Sequence, residues 1–211
     1  LPSARCGALA VCAGDGMREL YRSLGVEVLD GGPTLNPSTA ELLDGIRAVP
    51  AEEVVVLPNS PNVIMAAERA AELADKPVHV VASRSQQAGL TAAVALLPDR
   101  SAADNADAMT QALREIRIGS APAAREDVHG RFGVGDAVGF VEEEIVAWGE
   151  PGPTLQAVMR SLGRDAALIT CISGQGAPLD HGAVEALAPD GVELELSEGG
   201  QPAYWWLLSA E

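Results

Sequence analysis

Residues 30–39 (Asp-Gly-Gly-Pro-Thr-Leu-Asn-Pro-Ser-Thr) concentrate the groups best suited to hold a ligand. Gly31 and Gly32 let the backbone turn sharply and approach a ligand or another chain, because glycine reaches positive φ without a Cβ clash. Thr34, Asn36, Ser38 and Thr39 supply hydroxyl and amide groups. Asn36 or Ser38 can cap the helix that follows, with Pro37 suited to its first position, and Ser38-x-x-Glu41 reads as a capping box. A polar loop at the positive end of a helix dipole receives a carboxylate or phosphate. A well-capped loop that binds nothing is the alternative.

A second polar cluster, 58–62 (Pro-Asn-Ser-Pro-Asn), offers Asn59, Ser60 and Asn62 at a strand's end. Capping of the next helix explains at least one of these side chains, and the others face a ligand or partner or do not. Gly14-Asp15-Gly16 lacks the full G-x-G-x-x-G spacing and reads as a tight strand-to-helix turn, and no G-x-x-x-x-G-K-[ST] occurs. His79 reads as a satisfied interior or face histidine, His129 falls in a turn, and His181 starts a helix. None has a His or Cys neighbour at metal-ligand spacing, so no metal site and no catalytic residue is assigned. There is no G-x-S-x-G elbow and no evident nucleophile–base pair. Glu142-Glu143-Glu144 reads as a solvated charge run between two short strands. In the stretch 198–208, period-2 geometry puts Tyr204, Trp206 and Leu208 on one face and Trp205 and Leu207 on the other, in a core strand or one with an interface on its outer face.

The elements that must position these groups alternate through the first half. Apolar runs 8–12, 26–29, 54–57 and 78–82 read as strands. Helical patterns fall at 17–24, 40–49, 63–74, 90–97 and 103–116. Short unbroken apolar strands between helices predict a parallel sheet covered on both faces. Right-handed crossovers place the loops 13–16, 31–39, 58–62 and 83–87 on one sheet edge, where open α/β sheets bind ligands. After Gly119 the texture changes to Gly-rich short strands (132–134, 137–141, 144–148), a helix at 154–162, a buried strand at 167–172, a helix at 182–187, and strands at 192–196 and 204–209. The expected architecture is α/β, a Rossmann-like parallel-sheet lobe over 1–118 followed by a smaller α+β lobe over 119–211.

Length and composition permit this: 211 residues with 47% hydrophobic content supply a sizeable core. A net charge of −16 repels nucleic acid and anionic membranes and favours small molecules or basic partner surfaces. No apolar run approaches the ~20 residues of a transmembrane helix. Three scattered cysteines make no disulfide framework, so a reducing cytoplasm is the simpler assumption. A chain that starts at Leu1 rather than Met reads as a piece of a longer protein.

Four elements together are familiar. Residues 31–39 resemble the GGQTMNPST signature in the C-terminal region of bacterial fatty acid kinases, the FakA/YloV family, related to dihydroxyacetone kinases. Residues 57–62 (Leu-Pro-Asn-Ser-Pro-Asn) match that family's LPN-x-x-N element, and 104–109 its DN-x-x-AM run. Gly199-Gly200-Gln201-Pro202-Ala203-Tyr204 match its GGQP-x-Y strand. The elements are collinear over almost the whole chain. Pro33 and Leu35 depart from the family's Gln and Met, and 83–87 from its Thr- and Pro-rich loop. The resemblance implies a DegV-like architecture. It also implies that an N-terminal DhaL-type domain, not seen in this sequence, uses ATP and magnesium to phosphorylate a fatty acid held by a separate DegV-like carrier, so no cofactor is expected in this chain.

Docking of that carrier is the first functional expectation, with the kinase's own N-terminal domain as a further partner and phospholipid synthesis as the setting. A lipid-binding module is the alternative. The family's carriers hold the fatty acid carboxylate at the loop corresponding to 31–39, and Thr34, Asn36, Ser38 and the helix amides could do the same here. An enzyme in its own right is the third and weakest. The residues expected to meet a ligand or partner are Gly31, Gly32, Thr34, Asn36, Ser38, Thr39, Asn59, Asn62, Gly200, Gln201 and Tyr204.

Overall fold

The structure is a computed structural model that describes residues 4–127 and 129–211; residues 1–3, Leu1 among them, and Val128 lie outside the described residues. The chain divides into two compact units, Leu1–Glu115 and Ile116–Glu211.

The first unit is built on four parallel strands, β1 (Ala4–Cys12), β2 (Glu27–Asp30), β3 (Ala51–Leu57) and β4 (Val78–Val80), in the order β2-β1-β3-β4. Five helices connect or follow them: α1 (Asp15–Ser23), α2 (Thr39–Ala48), α3 (Pro61–Leu73), α4 (Gln86–Ala93) and α5 (Ala102–Arg114). Leu9, Val11, Val54 and Val56 pack with Leu42 and Ile46 of α2 and Val63, Ala67 and Ala70 of α3. The alternate residues Ala8, Ala10, Cys12 and Val55 are buried too, on the opposite face by the period-2 geometry of strands. Burial on both faces is why these strands lack apolar–polar alternation.

β1 and β3 begin earlier than expected, at Ala4 and Ala51, and α4 differs at both ends. α4 begins at Gln86, four residues before the apolar run at 90, because the Ser85 hydroxyl accepts from the Ala88 N–H at 3.4 Å and makes the polar pair Gln86-Gln87 the first helical turn. It ends at Ala93 rather than 97, and beyond it the Leu97 N–H donates to Asn105 Oδ1 at 2.8 Å. Of the two places open to His79, interior or face, it takes the exposed one, on the edge strand β4.

The second unit holds a six-stranded sheet of β5 (Arg117–Pro122), β6 (Ala137–Val141), β7 (Glu144–Gly149), β8 (Leu168–Ser173), β9 (Glu193–Glu198) and β10 (Tyr204–Ala210), in the order β7-β6-β5-β10-β8-β9. The pairs are antiparallel except β8 with β9, which α7 (His181–Glu185) connects as a parallel crossover. Residues 118–121, where the sequence changes texture, lie within β5. α6 (Pro151–Leu162) contributes Leu155, Val158, Met159 and Leu162 to a core shared with Ala121, Val141, Cys171, Trp206 and Leu208. Gly139 permits this close packing, since a Cβ there would lie 2.7 Å from Val158 Cγ2.

Three local expectations need correction here. Residues 132–134 form no strand; the Asp136 N–H donates to the Gly133 carbonyl at 3.1 Å, closing a turn around Gly135. Trp205 and Trp206 do not sit on opposite sides of a regular strand. The register with β5 slips between Tyr204 and Trp206, and both indoles pack with the same core, edge to face at 6.1 Å. A bulge inserts one extra residue and breaks the period of two. Glu142 is more than part of a solvated run: it stands at φ 53° in the β6–β7 turn, donates its N–H to the Ile118 carbonyl at 2.7 Å, and accepts from the Ile118 N–H on Oε1 at 3.0 Å.

Candidate functional site

The four parallel strands of the first unit end at one edge, so the segments after Cys12, Asp30, Leu57 and Val80 gather there. Beneath them runs a buried polar network. Asn59, at φ 59°, uses both amide hydrogens: Nδ2 donates to the Val11 carbonyl at 2.8 Å and to the Tyr21 hydroxyl at 2.9 Å. The Ser83 hydroxyl donates to Asn59 Oδ1 at 2.8 Å and accepts from the Asn59 N–H at 3.0 Å. Tyr21 in turn donates to the Gln86 carbonyl at 2.6 Å, and Gln86 Oε1 accepts from the Ala13 N–H at 2.9 Å. Every loop of the edge except 31–39 is thereby tied to the others. The network needs Gly89, where an added Cβ would collide with Asn59 Oδ1. Burial raises the Tyr21 phenol well above its usual pKa, with the nearby Cys12 thiol adding to the effect and the Asn59 hydrogen bond opposing it. The hydroxyl stays protonated and able to donate.

Loop 31–39 folds over the ends of β1 and β2. Asp30 Oδ1 accepts from the Gly32 N–H at 2.9 Å, and the Asn36 N–H donates to the Gly31 carbonyl at 3.1 Å. Gly32 stands at φ 68° and Leu35 at φ 46°. A Cβ on Gly31 would lie 2.7 Å from Val11 Cγ1 and 2.9 Å from Leu35 Cδ2, so Leu35 folds beneath the loop onto the sheet edge and packs with the core of that face. Thr34 and Asn36 are exposed; Gly31, Gly32 and Thr39 are half-buried.

Ser38, not Asn36, caps α2. Its Oγ accepts from the Glu41 N–H at 3.1 Å while its own N–H donates to Glu41 Oε2 at 2.7 Å, so the capping box is complete. Pro37 stands one residue before the cap and is buried, rather than occupying the first helical position. The bonds from Ser38 hold the Glu41 carboxyl below the usual carboxylate range. At this helix start the dipole already meets the chain's own anion.

The second polar cluster is spent differently. Ser60 sits at the cap of α3 but makes no side-chain cap bond, Pro61 opens the helix, and Asn62 is exposed in its first turn. Of the two asparagines, Asn59 belongs to the floor and Asn62 to the surface. Arg18 lies near the same edge, 3.4 Å from Asp30 and 3.7 Å from Asp15. Lys76 donates to the Val49 and Ala51 carbonyls at 2.9 and 3.1 Å. Burial pushes the Cys12 thiol up to about 12, which withholds its thiolate. Among the described residues no group of three or more His, Cys, Asp or Glu side chains could hold a metal ion, and no helix is long and apolar enough to cross a membrane.

In the second unit, Gly200 is exposed at φ 65° and Tyr204 is exposed at the start of β10. Gln201 is buried, and its Nε2 donates to the Ile172 and Tyr204 carbonyls at 3.0 and 3.2 Å. The structure thus places Gly31, Gly32, Thr34, Asn36, Ser38 and Thr39 on one loop and Asn59 and Asn62 after β3 on the same sheet edge, while Gly200 and Gln201 lie in the turn before β10 and Tyr204 at its start. The sequence places Asn105 in the DN-x-x-AM run and Ser83 and Gln86 in the edge loop 83–87 without marking any of them, or Tyr21, as a site residue. Asn105 accepts from the Leu97 N–H at 2.8 Å and donates to the Leu97 and Ser101 carbonyls at 2.9 and 3.1 Å, closing the loop before α5. Beyond those placements, the sequence signal for these residues is an isolated polar side chain at a position the helical or strand period would bury.

A sequence model of the C-terminal region of FakA-like fatty acid kinases matches residues 7–211. Protein YloV of Bacillus subtilis is 31% identical over 215 residues, covering 97% of this chain and 39% of the relative. The chain therefore spans about two fifths of the length of that relative. Among solved structures, a fatty-acid-binding DegV family protein from Thermus thermophilus superposes with a TM-score of 0.64 at 16% identity, over 98% of this chain and 99% of that one. The dihydroxyacetone kinase of C. freundii superposes with a TM-score of 0.59 at 12% identity, over 100% of this chain and 48% of that one. At such identities these two likenesses establish the fold, α/β and DegV-like. With the family match running over nearly every residue, the chain belongs to the FakA-like C-terminal family of fatty acid kinases.

Proposed function

We propose that this chain is the part of a fatty acid kinase that docks a DegV-like fatty-acid-binding carrier. The ATP- and magnesium-dependent transfer of a phosphoryl group to the fatty acid carboxylate belongs, in this reading, to an N-terminal DhaL-type domain of the whole kinase. The single observation that carries the reading is the Ser38–Glu41 capping box. In a DegV-like fold the loop before α2 is where a ligand carboxylate would be held, and here the chain's own carboxylate accepts the Ser38 N–H. The Asn59 amide hydrogens at the same sheet edge are both taken. A site whose helix-end N–H and Asn59 amide are already bound within the chain suits a surface role. The net charge of −16 would then guide a carrier with a basic face, speeding encounter in a salt-dependent way. Titrating the carrier into the full kinase, with and without this region, tests the reading.

The second reading, a fatty-acid-binding module, draws on the exposed Thr34 and Asn36 side chains and on the fatty-acid-binding DegV protein of similar fold. Mass spectrometry of an extract from the denatured, purified chain decides it. Stoichiometric fatty acid supports lipid binding; a clean extract, beside lipid recovered from a DegV carrier treated identically, contradicts it.

A further inference from the structure

β7 is an edge strand: β6 pairs with it on one side, and among the described residues no strand pairs on the other. Edge strands of soluble folds are normally short, covered or charged. This one instead exposes Ile145, Val146 and Trp148, and Val134 in the nearby turn is 89% exposed. The Trp148 indole is 47% exposed yet held in place. The Arg131 guanidinium stacks 5.6 Å from its centroid and 5.4 Å from that of Phe132. Arg131 is itself pinned to the half-buried Asp127, whose Oδ2 accepts from Nε at 2.8 Å. A chain of contacts from Asp127 through Arg131 therefore fixes the tryptophan before anything binds it. Pre-ordering an aromatic side chain removes part of the entropic cost of association, and Trp and Arg are the residue types that dominate interface energetics.

The charges around the patch select its occupant. Glu144 begins the strand, Glu150 follows it, and both are exposed. A second copy of the chain would bring its own Glu144 and Glu150 to the same edge, adding like-charge repulsion on top of the −16 net charge of each copy. The register slip between Gly139 and Phe140, which leaves Val146 as the extra residue of β7, bends the edge away from simple strand pairing. Self-association is thus opposed twice. A partner with an apolar spot ringed by Arg or Lys meets no such opposition.

We propose that the Val146–Trp148 edge of β7, flanked by Glu144 and Glu150, is the surface on which the carrier docks, through an apolar spot with a basic rim. The proposal rests on the carrier-docking reading. The test uses the full kinase and a fatty-acid-loaded DegV-family carrier from the same source organism, with binding followed calorimetrically. Trp148→Ser and Val146→Ser should each weaken carrier affinity about tenfold or more, as expected for truncation at a hot spot. Glu144→Lys with Glu150→Lys should weaken it further at low salt and flatten its salt dependence. Met65→Ser, at an exposed apolar residue of α3, should leave affinity unchanged. Circular dichroism checks the fold of each variant, and the charge pair, at two exposed residues of which Glu150 stands at the N-cap of α6 without a side-chain cap bond, reports even if Trp148→Ser unfolds. Wild-type binding that survives the Val146 change and the charge pair overturns this surface while leaving carrier docking intact. No wild-type binding overturns the docking reading itself.

Discussion

Removing the Asn59 carboxamide would leave the Tyr21 hydroxyl, the Val11 carbonyl and the Ser83 hydroxyl short of partners in a buried place. Each stranded polar group costs about 1–3 kcal/mol. Asn59→Ala should therefore lower unfolding stability by about 2–4 kcal/mol in urea titration, where a change at an exposed, merely ligand-facing asparagine would cost almost nothing. The type of this residue was visible in the sequence but its allegiance was not: the LPN-x-x-N element gives two asparagines, and only three-dimensional neighbours send one to the floor and the other to solvent. Glu41 and Asp127 carry a pH signature. Both carboxyls titrate below their ordinary values, Asp127 at about 2, through hydrogen bonds from Ser38 and Arg131 respectively. A depressed folded-state pKa adds stability that is present above the unfolded pKa and disappears as pH falls through the folded value. Melting temperature should thus drop between about pH 5 and pH 2, and the drop should be shallower in Glu41→Gln. The buried thiols of Cys12 and Cys171, both pushed up to about 12 by burial, should resist a thiol reagent at pH 8 until denaturant is added.

At the scale of elements, the parallel sheet of the first unit was the most legible part. Strands buried on both faces leave unbroken apolar runs, and helices with one buried face leave period-3.6 patterns, so every strand there and every helix but α4 was locatable to within a few residues. α4 was misplaced because its first turn is polar: Gln86 and Gln87 are buried by tertiary contacts that no local pattern records. The second unit was less legible because its irregularities are backbone events. The bulge at Trp205 moves one indole to the other's side, and the turn at 133–136 gathers apolar residues that look like a strand. Close helix-on-sheet packing yields a prediction at this scale. Gly139→Ala should destabilise the protein by about 1–3 kcal/mol by driving a methyl into Val158. Val158→Ala in the same chain should recover part of that loss, which a double-mutant cycle in urea would measure.

For the molecule as a whole, membership of the fatty acid kinase C-terminal family was readable from four collinear motifs, while what the site does with its polar groups was not. Glu41 was legible as a capping residue, but only the geometry makes it the carboxylate that occupies the helix end. The charge of −16 acts at this scale and predicts that carrier affinity falls steeply as ionic strength rises, whereas a mainly apolar lipid-binding role would give little salt dependence. The most direct test is the affinity of a fatty-acid-loaded DegV-family carrier for the full kinase and for the same kinase truncated before residue 7 of this region. Loss of at least tenfold in affinity on truncation is the predicted result. Equal affinity with and without the region would contradict the account.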